Sequence, residues 1–155
     1  MKVLIVEDEK LSSDLLIRLL NKIDPSIMVV KVLDSVKKSI EVISNGLKAD
    51  LLFLDIHLSD GNSFEILEKT NLQIPIIFTT AYNDYAIKAF KHNSIDYLLK
   101  PIGSEDLAIA IEKFKKFNHP QISDFSQHYK MLLGQLSSNF KTRFMVKSGL
   151  SISTI

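Results

Sequence analysis

Acidic, hydroxyl and basic side chains recur in this sequence where short apolar runs end. Glu7 and Asp8 follow Val3–Val6, Asp55 follows Leu51–Leu54, Thr79 and Thr80 follow Pro75–Phe78, and Lys100 with Pro101 follows Ile95–Leu99. Three carboxylates drawn into one crevice repel one another unless a proton or a cation intervenes. A donor set made only of oxygen suits a hard divalent ion, and a site that keeps several waters suits Mg²⁺. A lysine and a threonine hydroxyl beside such an ion would balance and bond an incoming phosphoryl group. Asp55 is then the natural nucleophile, because a carboxylate can form an acyl phosphate. Taken singly these residues say little, since a lone strand-end Asp more often caps the next helix. Their agreement at four strand ends carries the reading.

The elements that must position them alternate. Apolar runs at Val3–Val6, Met28–Leu33, Leu51–Leu54, Pro75–Phe78 and Ile95–Leu99 are strand-length and lack clean in/out alternation, as strands buried on both faces do. Helical spacing separates them: Leu11, Leu15 and Leu19 with Leu16, Leu20 and Ile23; then Val36, Ile40 and Ile43, entered at Ser35 and closed by Gly46. A short third helix with Phe64, Ile66 and Leu67 follows an Asp60-Gly61-Asn62 turn. Asn83 and Asp84 cap a fourth holding Ala86, Ala89 and Phe90. Ser104, Glu105 and Asp106 open a fifth carrying Leu107, Ala110, Ile111, Phe114 and Phe117. Five βα units predict an α/β fold, a doubly wound five-stranded parallel sheet with five helices. Its ligand crevice lies beyond the carboxyl ends of the strands, where the strand order reverses.

Bulk properties fit a soluble protein: 46% of residues are hydrophobic and 24% charged. Without cysteine, disulfide and thiolate chemistry are excluded. No apolar stretch reaches the roughly 20 residues of a membrane-spanning helix, and the start turns acidic too early for a signal peptide. A cytoplasmic protein with no membrane partner is expected. The net charge of +1 hides an asymmetry: residues 1–112 carry 12 basic and 17 acidic side chains, residues 113–155 seven basic and only Asp124 acidic.

The segments VLIVEDE (3–9), LLFLDIHLSDG (51–61), IIFTTAY (76–82) and DYLLKPI (96–102) together resemble the response-regulator receiver domain of bacterial two-component signalling, over roughly residues 1–117. The resemblance implies a flavodoxin-like fold with Asp55 as phosphoacceptor. It also implies Mg²⁺ held by Asp8, Asp55 and the backbone carbonyl of His57, with Glu7 helping directly or through water. Thr80 and Tyr97 match the switch pair, Lys100 the phosphate-contacting lysine, and the peptide before Pro101 should be cis. His57 and Tyr82 flank the site and would tune the lifetime of the phosphoryl group. Two positions depart from the family pattern: Glu7 stands where Asp is commoner, and Ser59 where proline is frequent.

After Phe117 the character changes. Asn118-His119-Pro120 breaks the helix, and residues 118–139 read as a linker with a short amphipathic helix around Phe125, Tyr129, Leu132, Leu133 and Leu136. Residues 140–155 alternate like strands, and FKTRFMVKSG resembles the opening of a LytTR-type DNA-binding domain. That implies a transcription regulator whose DNA-binding module is cut short here, so that DNA binding needs the complete C-terminal domain. A partner histidine kinase would phosphorylate Asp55 and reshape the face of the fourth helix, fifth strand and fifth helix, promoting homodimerisation. A haloacid-dehalogenase-like phosphatase is the rival enzyme, but it would want an acidic residue at position 57, which is His. A phosphorylation-independent binding module is the other rival; the full set Asp8, Asp55, Thr80 and Lys100 argues against it.

Overall fold

The computed structural model describes residues 1–82 and 94–118. A compact unit spans Met1–Lys116. Its strands, in chain order, are β1 (Lys2–Val6), β2 (Met28–Leu33), β3 (Leu51–Asp55), the two-residue β4 (His57–Leu58) and β5 (Gly61–Asn62), β6 (Ile76–Thr80) and β7 (Ser94–Leu99). The helices are α1 (Lys10–Ile23), α2 (Val36–Ser44), α3 (Phe64–Lys69) and α4 (Ser104–Phe117). The five long strands form a parallel sheet in the order β2-β1-β3-β6-β7, while β4 and β5 make a small antiparallel ribbon. This is the flavodoxin-like arrangement expected from the sequence. The strand order reverses between β1 and β3, which places the crevice at their carboxyl ends.

Every residue of β3 and β6 is buried, as is all of β1 except Lys2, which explains why these runs lack alternation. Leu4, Val6, Leu52, Leu54, Ile76 and Phe78 share one face and pack in a cluster with Val36, Phe64 and Ile66 of α2 and α3. Val3, Ile5, Leu51, Phe53 and Ile77 alternate with them and face the other way. There α1 buries Leu16 and Leu20, and α4 buries Leu107, Ala110, Ile111 and Phe114. Lys115 of α4 bonds Asp24, just past α1, at 3.0 Å.

Helix α1 buries only part of its expected stripe, Leu16 and Leu20. Its buried stripe is Ser13, Leu16 and Leu20, while Leu11 is 77% and Leu15 36% exposed. The leucines at positions 11, 15 and 19 fit helical spacing as well as the true stripe does; the Ser13 hydroxyl can enter the core because it bonds the Lys10 carbonyl within the helix. Helices α2, α3 and α4 begin close to where their caps predict. Phe117, placed on the apolar stripe of α4 by spacing, is 39% exposed. The expected fourth helix near residues 83–90, and the linker and strands expected beyond residue 118, lie outside the described residues.

The N-terminus of α2 is capped twice. The Ser35 hydroxyl accepts from Lys38 N–H at 3.1 Å, and the distant Asp60 carboxylate accepts from Val36 N–H (2.8 Å) and Lys37 N–H (3.1 Å). Gly46, at φ +88°, closes the helix in the left-handed region that glycine favours. The Asp60 carboxyl is held below its usual range, chiefly by the bond from Val36 N–H. Replacing Asp60 by Ala should therefore cost about 1 kcal/mol by loss of a cap, read as a lower urea midpoint with unchanged m-value; Asp60→Asn should lose less.

Candidate functional site

The sheet register delivers the site. Val6 of β1 pairs with Leu54 of β3, so Glu7 and Asp8 emerge beside Asp55. Asp55 pairs with Thr79 of β6, and Thr80 with Leu99 of β7, so Thr80 and Lys100 leave the sheet next door. Carboxylate oxygens of Glu7, Asp8 and Asp55 lie within 4.8 Å of one another. Glu7 and Asp55 are buried, Asp8 partly so.

Lys100 binds the group together. Its ammonium donates to Glu7 Oε2 at 2.6 Å and to Asp55 Oδ2 at 2.8 Å. Glu7 Oε1 accepts from Glu9 N–H (3.0 Å), and Asp55 Oδ1 from His57 N–H (3.2 Å). Burial pushes the Glu7 carboxyl up to about 7, the bond from Lys100 opposes this, and the nearby Asp55 charge adds to it. Burial works against the Lys100 ammonium too, but its bonds to Asp55 and Glu7 outweigh that and hold it above the usual amine range. The Lys100–Pro101 peptide is cis.

The donor set fits a hard divalent cation: three carboxylates against one ammonium leave two negative charges uncompensated, all on oxygen.

Thr80 is fully buried, and its hydroxyl oxygen accepts from Tyr82 N–H at 3.3 Å. The Tyr97 hydroxyl donates to the carbonyl of the same Tyr82, while its ring packs against the core cluster. His57 is exposed and meets the Tyr82 ring edge-on, centroids 5.2 Å apart. The residues singled out in the sequence thus gather at one end of the sheet. Two residues noted in the sequence only as a pattern departure and a turn residue join them. Ser59 donates from both its N–H (2.8 Å) and its hydroxyl to Asp8 Oδ2, and Asp60 fastens the same loop to α2.

An acidic cluster and a lysine thus lie together at the switch point of a doubly wound parallel sheet. Residues 3–112 match the response regulator receiver domain family, and the chain belongs to it. Receiver domains bind Mg²⁺ at such an acidic pocket, and response regulators are phosphorylated by sensor histidine kinases. The chain is 39% identical over 125 residues to the sensory transduction protein LytT of Bacillus anthracis, covering 79% of this chain and 50% of that protein. It is 44% identical over 119 residues to LytT of Enterococcus faecalis, covering 75% and 48%. Over 118 residues it is 36% identical to the transcriptional regulatory protein LytR of Staphylococcus aureus, covering 74% and 47%. The chain thus spans about half the length of these relatives. Among solved structures it resembles the response regulatory domain of mrkE from Klebsiella pneumoniae, with a TM-score of 0.67 and 28% identity, covering 75% of this chain and 96% of that one. No helix among the described residues is long and apolar enough to cross a membrane.

Two consequences follow for the metal-free protein. Lys100→Met should cost about 3 kcal/mol by leaving buried carboxylates unpaired, and Mg²⁺ should then raise its melting temperature more than that of the native chain. Glu7 binds its proton more tightly folded than unfolded. Its contribution is therefore complete below about pH 4.5 and lost as pH rises through about 7. Glu7→Gln should flatten that part of the stability–pH curve, measured by thermal melts in EDTA.

Proposed function

We propose that Asp55 is the phosphoacceptor of a receiver domain that works with Mg²⁺ held by Asp8, Asp55, the His57 carbonyl and, directly or through water, Glu7. The observation that carries this is the Lys100 ammonium seated between Glu7 and Asp55 inside an all-oxygen cluster. When bound, the cation offsets negative charge on the transferring phosphoryl group.

A carboxylate oxygen of Asp55 forms a bond to phosphorus as the bond to the donor breaks, and the donor keeps the electron pair. With a histidine kinase the leaving group is an imidazole nitrogen. Lys100 exchanges its bond to Asp55 Oδ2 for a phosphoryl oxygen, and Thr80 donates its hydroxyl to another. Drawing Thr80 toward the phosphoryl group pulls on Tyr82 N–H, and Tyr82 also accepts from Tyr97, so the change reaches β7. His57 and Tyr82, whose rings meet edge-on beside the site, tune how long the acyl phosphate survives.

The output is a population shift. Moving the domain from 1:99 to 99:1 needs about 5.5 kcal/mol of selectivity. The reshaped face, built from the helix expected near residues 83–90, β7 and α4, then favours homodimerisation. Residues 1–117 form the receiver, 118–139 the linker and 140–155 the opening of a LytTR-type DNA-binding domain. The complete, cytoplasmic protein would regulate transcription as its LytR relative's name describes.

Incubation with acetyl phosphate and Mg²⁺ should add the mass of one phosphoryl group to the intact chain, with none added in EDTA or to Asp55→Asn. Labelling that persists in Asp55→Asn would mean that another residue is the acceptor.

A further inference from the structure

Asp8 reaches the acidic cluster from β1, yet its carboxylate is fixed from the loop after β3. The Ser59 N–H donates to Asp8 Oδ2 at 2.8 Å, and the Ser59 hydroxyl donates to the same oxygen. Both donors come from one residue 51 positions away in the chain. Among the described residues, no hydrogen bond is donated to Asp8 Oδ1. Ser59 is itself held on both sides: Leu58 is buried in the β4–β5 ribbon, and Asp60 is fastened to the first N–H groups of α2.

We propose that Ser59 is a positioning residue for the divalent cation, clamping Asp8 Oδ2 so that Oδ1 is presented to the ion at a fixed angle. This rests on the Mg²⁺ reading of the site. An Asp carboxylate turns easily about its last torsion, and a loop carbonyl or a water could replace it as ligand only at another angle. Donors on the far oxygen of a ligating carboxylate remove that freedom, and losing such partners typically weakens metal binding about 10–100-fold. The benefit depends on the ion. Mg²⁺ demands near-octahedral geometry at short distance, whereas Ca²⁺ accepts variable angles and numbers of ligands. Ser59 therefore contributes to selectivity as well as affinity. Because the backbone donor remains after truncation to Ala, the loss falls at the lower end of the range.

The test is calorimetric titration of the full chain with Mg²⁺ and, separately, Ca²⁺, for the native protein, Ser59→Ala and Ser59→Thr. Ser59 is exposed, so neither change disturbs the core. Ser59→Ala should weaken Mg²⁺ about tenfold and Ca²⁺ clearly less, and Ser59→Thr should recover the native Mg²⁺ affinity. Unchanged Mg²⁺ affinity in Ser59→Ala, or an equal loss for both ions, overturns the positioning role while leaving the Mg²⁺ site intact. A native chain that binds neither ion overturns the Mg²⁺ reading and the role of Ser59 with it.

Discussion

Three carboxylates forced together at the end of a buried sheet create a charge problem that the surrounding structure is arranged to contain. Glu7, Asp8 and Asp55 cannot move apart, because β1 and β3 are hydrogen-bonded neighbours with almost every residue buried. Burial first, and the neighbouring Asp55 charge after it, raise the proton affinity of Glu7. Lys100 supplies the permanent counter-charge, and it does so from the far side of β6. The five-stranded order is therefore a functional requirement as well as a packing result. With β7 beside β6, the ammonium reaches both Glu7 and Asp55.

The loop from Asp55 to Phe64 is the second dependency. It is fastened at nearly every residue: Ile56 N–H to the Thr79 carbonyl, His57 N–H to Asp55, Ser59 to Asp8, Asp60 to α2, Asn62 to Phe64 N–H, and Ser63 N–H to the Ile56 carbonyl. Gly61 sits in the middle at φ +153°, and a Cβ there would come within 3.1 Å of Glu65 Oε1. The family often places proline at position 59 and so stiffens this loop by fixing a torsion. In this chain serine occupies that position, and rigidity comes from hydrogen bonds instead. One of those bonds ends on a carboxylate of the acidic cluster, so the stiffness of the loop and the aim of Asp8 are a single property.

Strand positions, the gathering of polar residues at the strand ends and most helix starts were legible in the sequence, because burial on both faces and side-chain capping leave local signatures. What could not be read was long-range. Asp60 looks like an ordinary turn residue, and only the fold brings it 23 and 24 positions back to α2. Ser59 stood out as a departure from a pattern, but nothing local says that its two donors converge on Asp8. The facing of α1 was legible only in part, Leu16 and Leu20 being buried as expected but Leu11 and Leu15 not. Leucine fills positions 11, 15, 16, 19 and 20, so two stripes fit the helical period and only packing selects Leu16 and Leu20.

Tyr82 is where the site meets the outer face of the sheet, since its N–H bonds Thr80 and its carbonyl accepts from Tyr97. Magnitudes constrain what that junction can do. A neutral hydrogen bond contributes about 1 kcal/mol net, so two such bonds cannot by themselves drive a near-complete shift that needs about 5.5 kcal/mol. They can transmit a shift generated elsewhere. Bonds to a charged group contribute about 1.5–3 kcal/mol each; on the proposed reading Thr80 adds one such bond to the phosphoryl group, while Lys100 exchanges one anionic partner for another. The driving force then lies at Asp55, and the residue 80–82 turn serves as the coupling. Its hydrogen bonds need only be weak enough to rearrange and connected enough that Thr80 cannot move without Tyr97.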